Sequence, residues 1–67
     1  MTVIYFNNVK FLVEQDEYDR FGTRVMNIVS EIGNTYLVAT KDIRENYWLL
    51  SNGQRFEDND VCIKEEI

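Results

Sequence analysis

Apolar and polar residues alternate in short runs, and paired turn residues separate the runs. Thr2 to Phe6 is rich in β-branched and aromatic residues, and Val9 to Glu14 is similar. Between them, Asn7-Asn8 supplies two residues that tolerate the positive φ angles of a tight hairpin turn. A two-residue turn sets Phe6 opposite Val9, Ile4 opposite Phe11 and Thr2 opposite Val13, giving one mainly apolar face. Tyr5, Lys10 and Leu12 fall on the other face.

Gln15 to Gly22 breaks this rhythm with polar and acidic residues. It reads as a long loop, pinned to the core by Tyr18 and Phe21. Thr23 to Lys41 then carries two patterns. As two strands it folds back at Gly33-Asn34. As a helix, Tyr18, Phe21, Val25, Ile28, Val29 and Ile32 form a stripe, with Asp16 capping its start and Gly33 its end. Propensity opposes the helix. Gly22 costs about 1 kcal/mol, and the β-branched and small polar residues after it bring the total to roughly 4 kcal/mol relative to alanine.

Tyr36 to Thr40 is a strand under either reading, and Lys41 to Asn46 is a charged turn. Asn46 to Ser51 is a strand holding Tyr47, Trp48, Leu49 and Leu50, with Trp48 inward and Tyr47 towards the surface. Asn52-Gly53 is a strong hairpin signal, and a two-residue turn there sets Leu49 opposite Phe56 and Trp48 opposite Glu57. An acidic turn at Glu57 to Asp60 leads to a last strand over Val61 to Ile67. The expected fold is all-β, a small and strongly bent antiparallel barrel of five to seven short strands, because closure removes exposed edges. The alternative is α+β, with a helix at about 16–32 packed on an antiparallel sheet.

Composition narrows this further. Sixty-seven residues make one domain, 1–67, with 45% hydrophobic and 13% aromatic residues, ordinary for a folded chain. The single cysteine, Cys62, precludes an internal disulfide and fits a reducing, cytoplasmic compartment. No secretory signal is visible, and no apolar run approaches the ~20 residues of a membrane span. Twelve acids against seven bases give a net charge of -5. Such a balance disfavours direct contact with nucleic acid or an anionic membrane and favours a protein partner with a basic surface, or serves simply for solubility.

The layout of residues 9 to 66 resembles a Src-homology-3-like barrel. In that family an early strand leads to a long acidic loop, matched by Glu14 to Phe21, and then to a hairpin, matched by Thr23 to Thr40. Gly53-Gln54 followed by Asn59-Asp60-Val61 is similar in spacing to the family's last turn and strand. The resemblance implies the fold. It does not imply binding of proline-rich peptides: Tyr36-Leu37 stands where the peptide-binding members have tryptophan, and the chain has no proline.

Candidate chemistry is sparse. Without histidine the commonest general base and metal ligand is missing. Cys62 alone builds no zinc site and sits among acids, the reverse of an activating environment. Gly22, Gly33 and Gly53 are isolated turn glycines. The acids Glu14, Asp16, Glu17 and Asp19 form one cluster, and Glu57, Asp58, Asp60, Glu65 and Glu66 another; neither follows a calcium-loop pattern. The expected protein is a non-enzymatic interaction domain with no cofactor, monomeric or weakly dimeric. Its expected contact residues are Glu14, Asp16, Glu17, Tyr18, Asp19, Tyr36, Tyr47, Asp58 and Asp60. A sharper form is a small inhibitor, of the type phages and plasmids carry against host nucleic-acid-handling proteins. The rival is a structural subunit that associates with itself through an open sheet edge.

Overall fold

Seven antiparallel strands, joined in one sheet, make up the computed structural model, which describes residues 1–67. They are β1 (Thr2–Phe6), β2 (Val9–Tyr18), β3 (Thr23–Ser30), β4 (Tyr36–Asp42), β5 (Tyr47–Leu50), β6 (Arg55–Glu57) and β7 (Val61–Glu65). A single 3₁₀ turn, Asp58–Asp60, joins β6 to β7. The order across the sheet is β6-β5-β4-β3-β2-β1-β7. No helix is long and apolar enough to cross a membrane. The helical alternative at 16–32 is absent; that segment is the end of β2, a turn and β3.

The sheet is curled into a half-barrel. Phe6 lies on β1 and Phe56 on β6, five places away in the sheet, yet their ring centroids are 5.1 Å apart. Phe6 also meets the edges of Phe11 at 5.9 Å and Trp48 at 6.0 Å. Around Phe6 the concave face collects Ile4, Met26, Ile28, Ala39, Trp48 and Leu50, all buried. Burying each large side chain is worth about 1.5–3 kcal/mol, and in so short a chain this cluster is the main source of stability. On the convex face Val3 and Val29 are also buried, on either side of Leu12 in one cross-strand row.

The first hairpin has the expected register: Phe6 pairs with Val9 and Ile4 with Phe11. Asn7 and Asn8 take φ of 52° and 70°, the two positive angles a type I′ turn demands. The β3–β4 and β5–β6 hairpins fold back over longer loops than expected. The β3–β4 loop spans four residues, 31–34, and closes with Ser30 N–H donating to the Thr35 carbonyl at 2.8 Å. Asn34, at φ 51°, takes the left-handed position there, and Gly33 does not. At β5–β6 the loop has three residues, 51–53, because Leu50 N–H donates to the Gln54 carbonyl at 2.9 Å. Gly53 takes φ 93°, the left-handed residue that ends a three-residue hairpin loop. The register therefore moves by one: Trp48 pairs with Phe56, Leu49 with Arg55 and Tyr47 with Glu57. This sets Trp48 beside an aromatic neighbour on the core side in place of an acid.

Half of the acidic loop expected at 15–22 is strand. β2 continues through Asp16, Glu17 and Tyr18, each paired with a residue of β3, and only Asp19–Gly22 forms the turn. A β-bulge between Val13 and Gln15 accompanies the extension. It leaves Glu14 as the extra residue and reverses the alternation beyond it. Val13 pairs with core residue Ile28, but so does Asp16 with core residue Met26, three positions on instead of two or four. Asp16 and Tyr18 thereby join the concave face, and Gln15 and Glu17 the convex one. Tyr18 and Phe21 do not pin this segment to the core; they are 61% and 73% exposed.

Candidate functional site

One end of the concave face is open. β3 and β4 run past the core cluster and carry it into charged positions: Arg24 lies two residues beyond Met26, and Lys41 two beyond Ala39. Strand alternation puts both on the core side, and they are cross-strand partners. Together with Trp48, Tyr18 and the β7 residues Val61 and Ile63 they line a cleft of about 270 Å³. Gly22 and Ile43, from the two turns at this end, complete its mouth.

Arg24 organises the floor. Its Nε and Nη2 donate to Oδ1 and Oδ2 of Asp16 at 3.0 and 2.7 Å, the bidentate geometry that guanidinium and carboxylate favour. Its guanidinium carbon lies 5.6 Å from the Tyr18 ring centroid and 6.0 Å from that of Trp48, within cation–π range of both. The hydrogen bonds from Arg24 hold the Asp16 carboxyl below the usual carboxylate range, and Asp16 in turn raises Arg24. Lys41 Nζ reaches Asp58 at 3.1 Å and ties β4 to the 3₁₀ turn. The cleft thus contains two cations, each neutralised by an acid, between aromatic and aliphatic walls.

Of the nine contact residues expected from sequence, Tyr18 and Asp58 line this cleft, and Asp16 adjoins it through Arg24. The others lie elsewhere. Glu14 and Tyr36 share a shallow depression on the convex face with Asn27, Val38 and Ser51. Glu17 lies on the same face and accepts from Gln15 Nε2 at 3.2 Å. Asp19 shapes its own turn, its Oδ1 accepting from the N–H groups of Phe21 at 2.8 Å and Thr23 at 3.0 Å. Tyr47 is covered by Arg55, whose guanidinium carbon is 3.8 Å from the ring centroid. Asp60 ends the 3₁₀ turn, where its carbonyl accepts from Asn7 N–H at 2.8 Å. Asp16 of the first acidic cluster and Asp58 of the second thus both lie at the cleft, each paired with a cation.

Sequence reading missed Arg24, Lys41, Ile43, Val61 and Ile63 as cleft residues. A signal for the two cations was present: counting by twos from Met26 and Ala39 leads to Arg24 and Lys41. No three of the Cys, Asp and Glu side chains converge on a point that could hold a metal ion. The arrangement has the means to bind, by stacking, apolar contact and charge. No protein-family model, curated protein or solved structure matches the chain.

Proposed function

We propose that the protein is a non-enzymatic protein-binding module and that it engages its partner with the end of the half-barrel where the cleft opens. One observation carries this reading. Tyr18 at the end of β2, and Phe21 and Ile43 on two neighbouring turns, are three large side chains that stand 61%, 73% and 72% exposed. The turns pack together: a Cβ on Gly22 would lie 3.2 Å from Ile43 Cγ2. Aromatic and aliphatic side chains grouped beside a pocket are the usual anchors of a protein interface.

The charge around this end favours a partner with a basic surface. Of the twelve acids, Glu14, Glu17, Asp19, Glu45 and Asp60 are outside every ion pair, and of the seven bases only Arg20 and Lys64 are. Glu17, Asp19 and Glu45 lie on or beside the two turns. Such a fringe speeds association with a basic surface and makes it salt-sensitive. A basic groove that ordinarily accepts phosphate is one such surface, which keeps an inhibitor of a nucleic-acid-handling protein as the sharper form of the proposal. In this proposal the half-barrel is Src-homology-3-like, with the cleft in place of a proline-peptide groove.

The test is comparative capture from a lysate with the tagged protein, its Phe21→Ala/Ile43→Ala double variant and a Tyr36→Ala control on the convex face. Loss of the partner with the double variant alone, salt-sensitive capture, and displacement of the partner by added nucleic acid are the expected results. Capture that survives the double variant and fails with Tyr36→Ala removes the cleft end from consideration.

A further inference from the structure

β7 ends the sheet, and its far side has no strand beside it. In an antiparallel ladder, residues alternate between those whose backbone groups point at the neighbour and those whose groups point away. Here the phase is set at both ends. Met1 and Glu66 exchange two hydrogen bonds, at 2.8 and 2.7 Å, and Asn7 N–H donates to the Asp60 carbonyl at 2.8 Å. With the β1–β7 register between them, Cys62 and Lys64 also turn towards β1. Val61, Ile63 and Glu65 turn towards the free edge. The Val61 N–H is taken by the Asp58 carbonyl, which leaves the Val61 carbonyl and both groups of Ile63 and Glu65 unpaired on that edge.

The side chains along this edge are self-complementary. Lys64 and Asp60 are both exposed and both outside every ion pair. Ile63 is 38% exposed beside the half-buried Val61 on the concave face. Let a second β7 run antiparallel about a two-fold axis at Cys62. Lys64 then faces Asp60, Asp60 faces Lys64, Val61 faces Ile63, and Ile63 N–H meets the Val61 carbonyl twice. The neighbouring registers lack this match. An axis at Ile63 sets Val61 against Glu65 and Lys64 against Cys62; one at Lys64 sets ammonium against ammonium; one at Val61 sets Asp60 against Cys62.

We propose that the free edge of β7 is a homodimer interface, formed by two copies of the chain pairing β7 to β7 in the register that sets Cys62 opposite itself. The contact is isologous and closed, and it covers an edge that would otherwise template indiscriminate pairing. It uses the strand whose Val61 and Ile63 side chains also wall the cleft, and its test is read on the protein alone, without a cleft partner.

The test is sedimentation of the reduced protein from low micromolar to millimolar concentration, with circular dichroism confirming that each variant folds. A monomer–dimer equilibrium is expected. Lys64→Asp and Asp60→Lys each replace two opposite-charge pairs by like charges and should weaken dimerisation roughly tenfold. The combined Asp60→Lys/Lys64→Asp variant should restore it. The axis also sets the two thiols in a non-hydrogen-bonded position, with Cα atoms roughly 4.5 Å apart, within disulfide reach. Mild oxidation should therefore yield a covalent dimer faster in the wild type than in Lys64→Asp. A monomer over the whole range overturns the proposal. So does a double variant as weak as the single ones, or a dimer that fails to cross-link on oxidation.

Discussion

At Gly22 two demands fall on one residue. Its φ is +87°, and a Cβ would lie 3.2 Å from Ile43 Cγ2. Gly53 shares the first demand, at φ +93°, but has open space around it. Left-handed backbone costs an L-residue roughly 1–2 kcal/mol. Gly53→Ala should lose that much stability in urea denaturation and nothing else. Gly22→Ala should lose more, because Ile43 must give way. Equal midpoints would mean that Ile43 moves freely. Trp48 is the residue the chain can least spare, at 2% exposure with Phe6 against its ring. Truncating a buried aromatic costs about 3–5 kcal/mol, and a domain of this size has about that much in total. Trp48→Ala should appear unfolded by far-UV circular dichroism, and Trp48→Phe should remain folded with a lower Tm.

Among the elements, the strands were legible wherever a turn announced its own geometry. Asn7-Asn8 is such a case, and the register on both sides of it follows directly. At Asn52-Gly53 the turn was visible but its length was not. Whether glycine takes the second place of a two-residue loop or the last place of a three-residue loop depends on which register packs better, and Trp48 against Phe56 decides it. The end of β2 was hidden for a different reason. Glu14, Gln15, Asp16 and Glu17 are polar on both faces, so no alternation marks them as strand. Their partners in β3 hold them extended instead. The same gap concealed the cleft, because Tyr18 reaches it only once β2 is extended and bulged. Asn8→Gly tests the first hairpin. At φ 70° glycine fits without strain and suits the second place of a type I′ turn, so stability should change by less than about 1 kcal/mol. Asn8→Val, with a branched Cβ at the same angle, should lower the urea midpoint clearly.

For the molecule as a whole, the ion pairs set the response to acid. Arg44 holds the Asp42 carboxyl at about 2 by hydrogen bonds from its side chain and its backbone. Arg24 lowers Asp16, and Lys10 together with Tyr5 lowers Glu66. Each of these groups binds a proton less readily when folded than when unfolded. Their contribution is therefore complete above the ordinary carboxylate pKa of about 4 and is lost as pH falls through the folded values. Tm should fall from pH about 4.5 down to about 2, and Asp42→Asn should flatten part of that fall. On the alkaline side the sign reverses. Tyr5 is raised by its hydrogen bond to Glu66, and Lys10 by its own bond to the same carboxylate. Their share is complete below their unfolded pKa of about 10 and is lost above it. A Tm that stays level through the acid range would show that these bridges do not hold in solution.

The bulge at Glu14 has a consequence for how this surface can change. It acts on the strand as a frameshift acts on a message. Every side chain from Gln15 to Tyr18 is assigned to its face by one extra residue, while the core half of β2 before it is untouched. Regular pairing with Glu14 kept in the ladder would exchange the two sets: Gln15 and Glu17 would enter the concave side, and Asp16 and Tyr18 would leave it. Deleting Glu14 would instead bring Gln15 next to Val13, opposite Asn27, and keep every later side chain on its present face. The wall of the cleft thus depends on whether the strand is bulged while Glu14 is present, and a chain that lost Glu14 outright would lose the bulge and keep the wall.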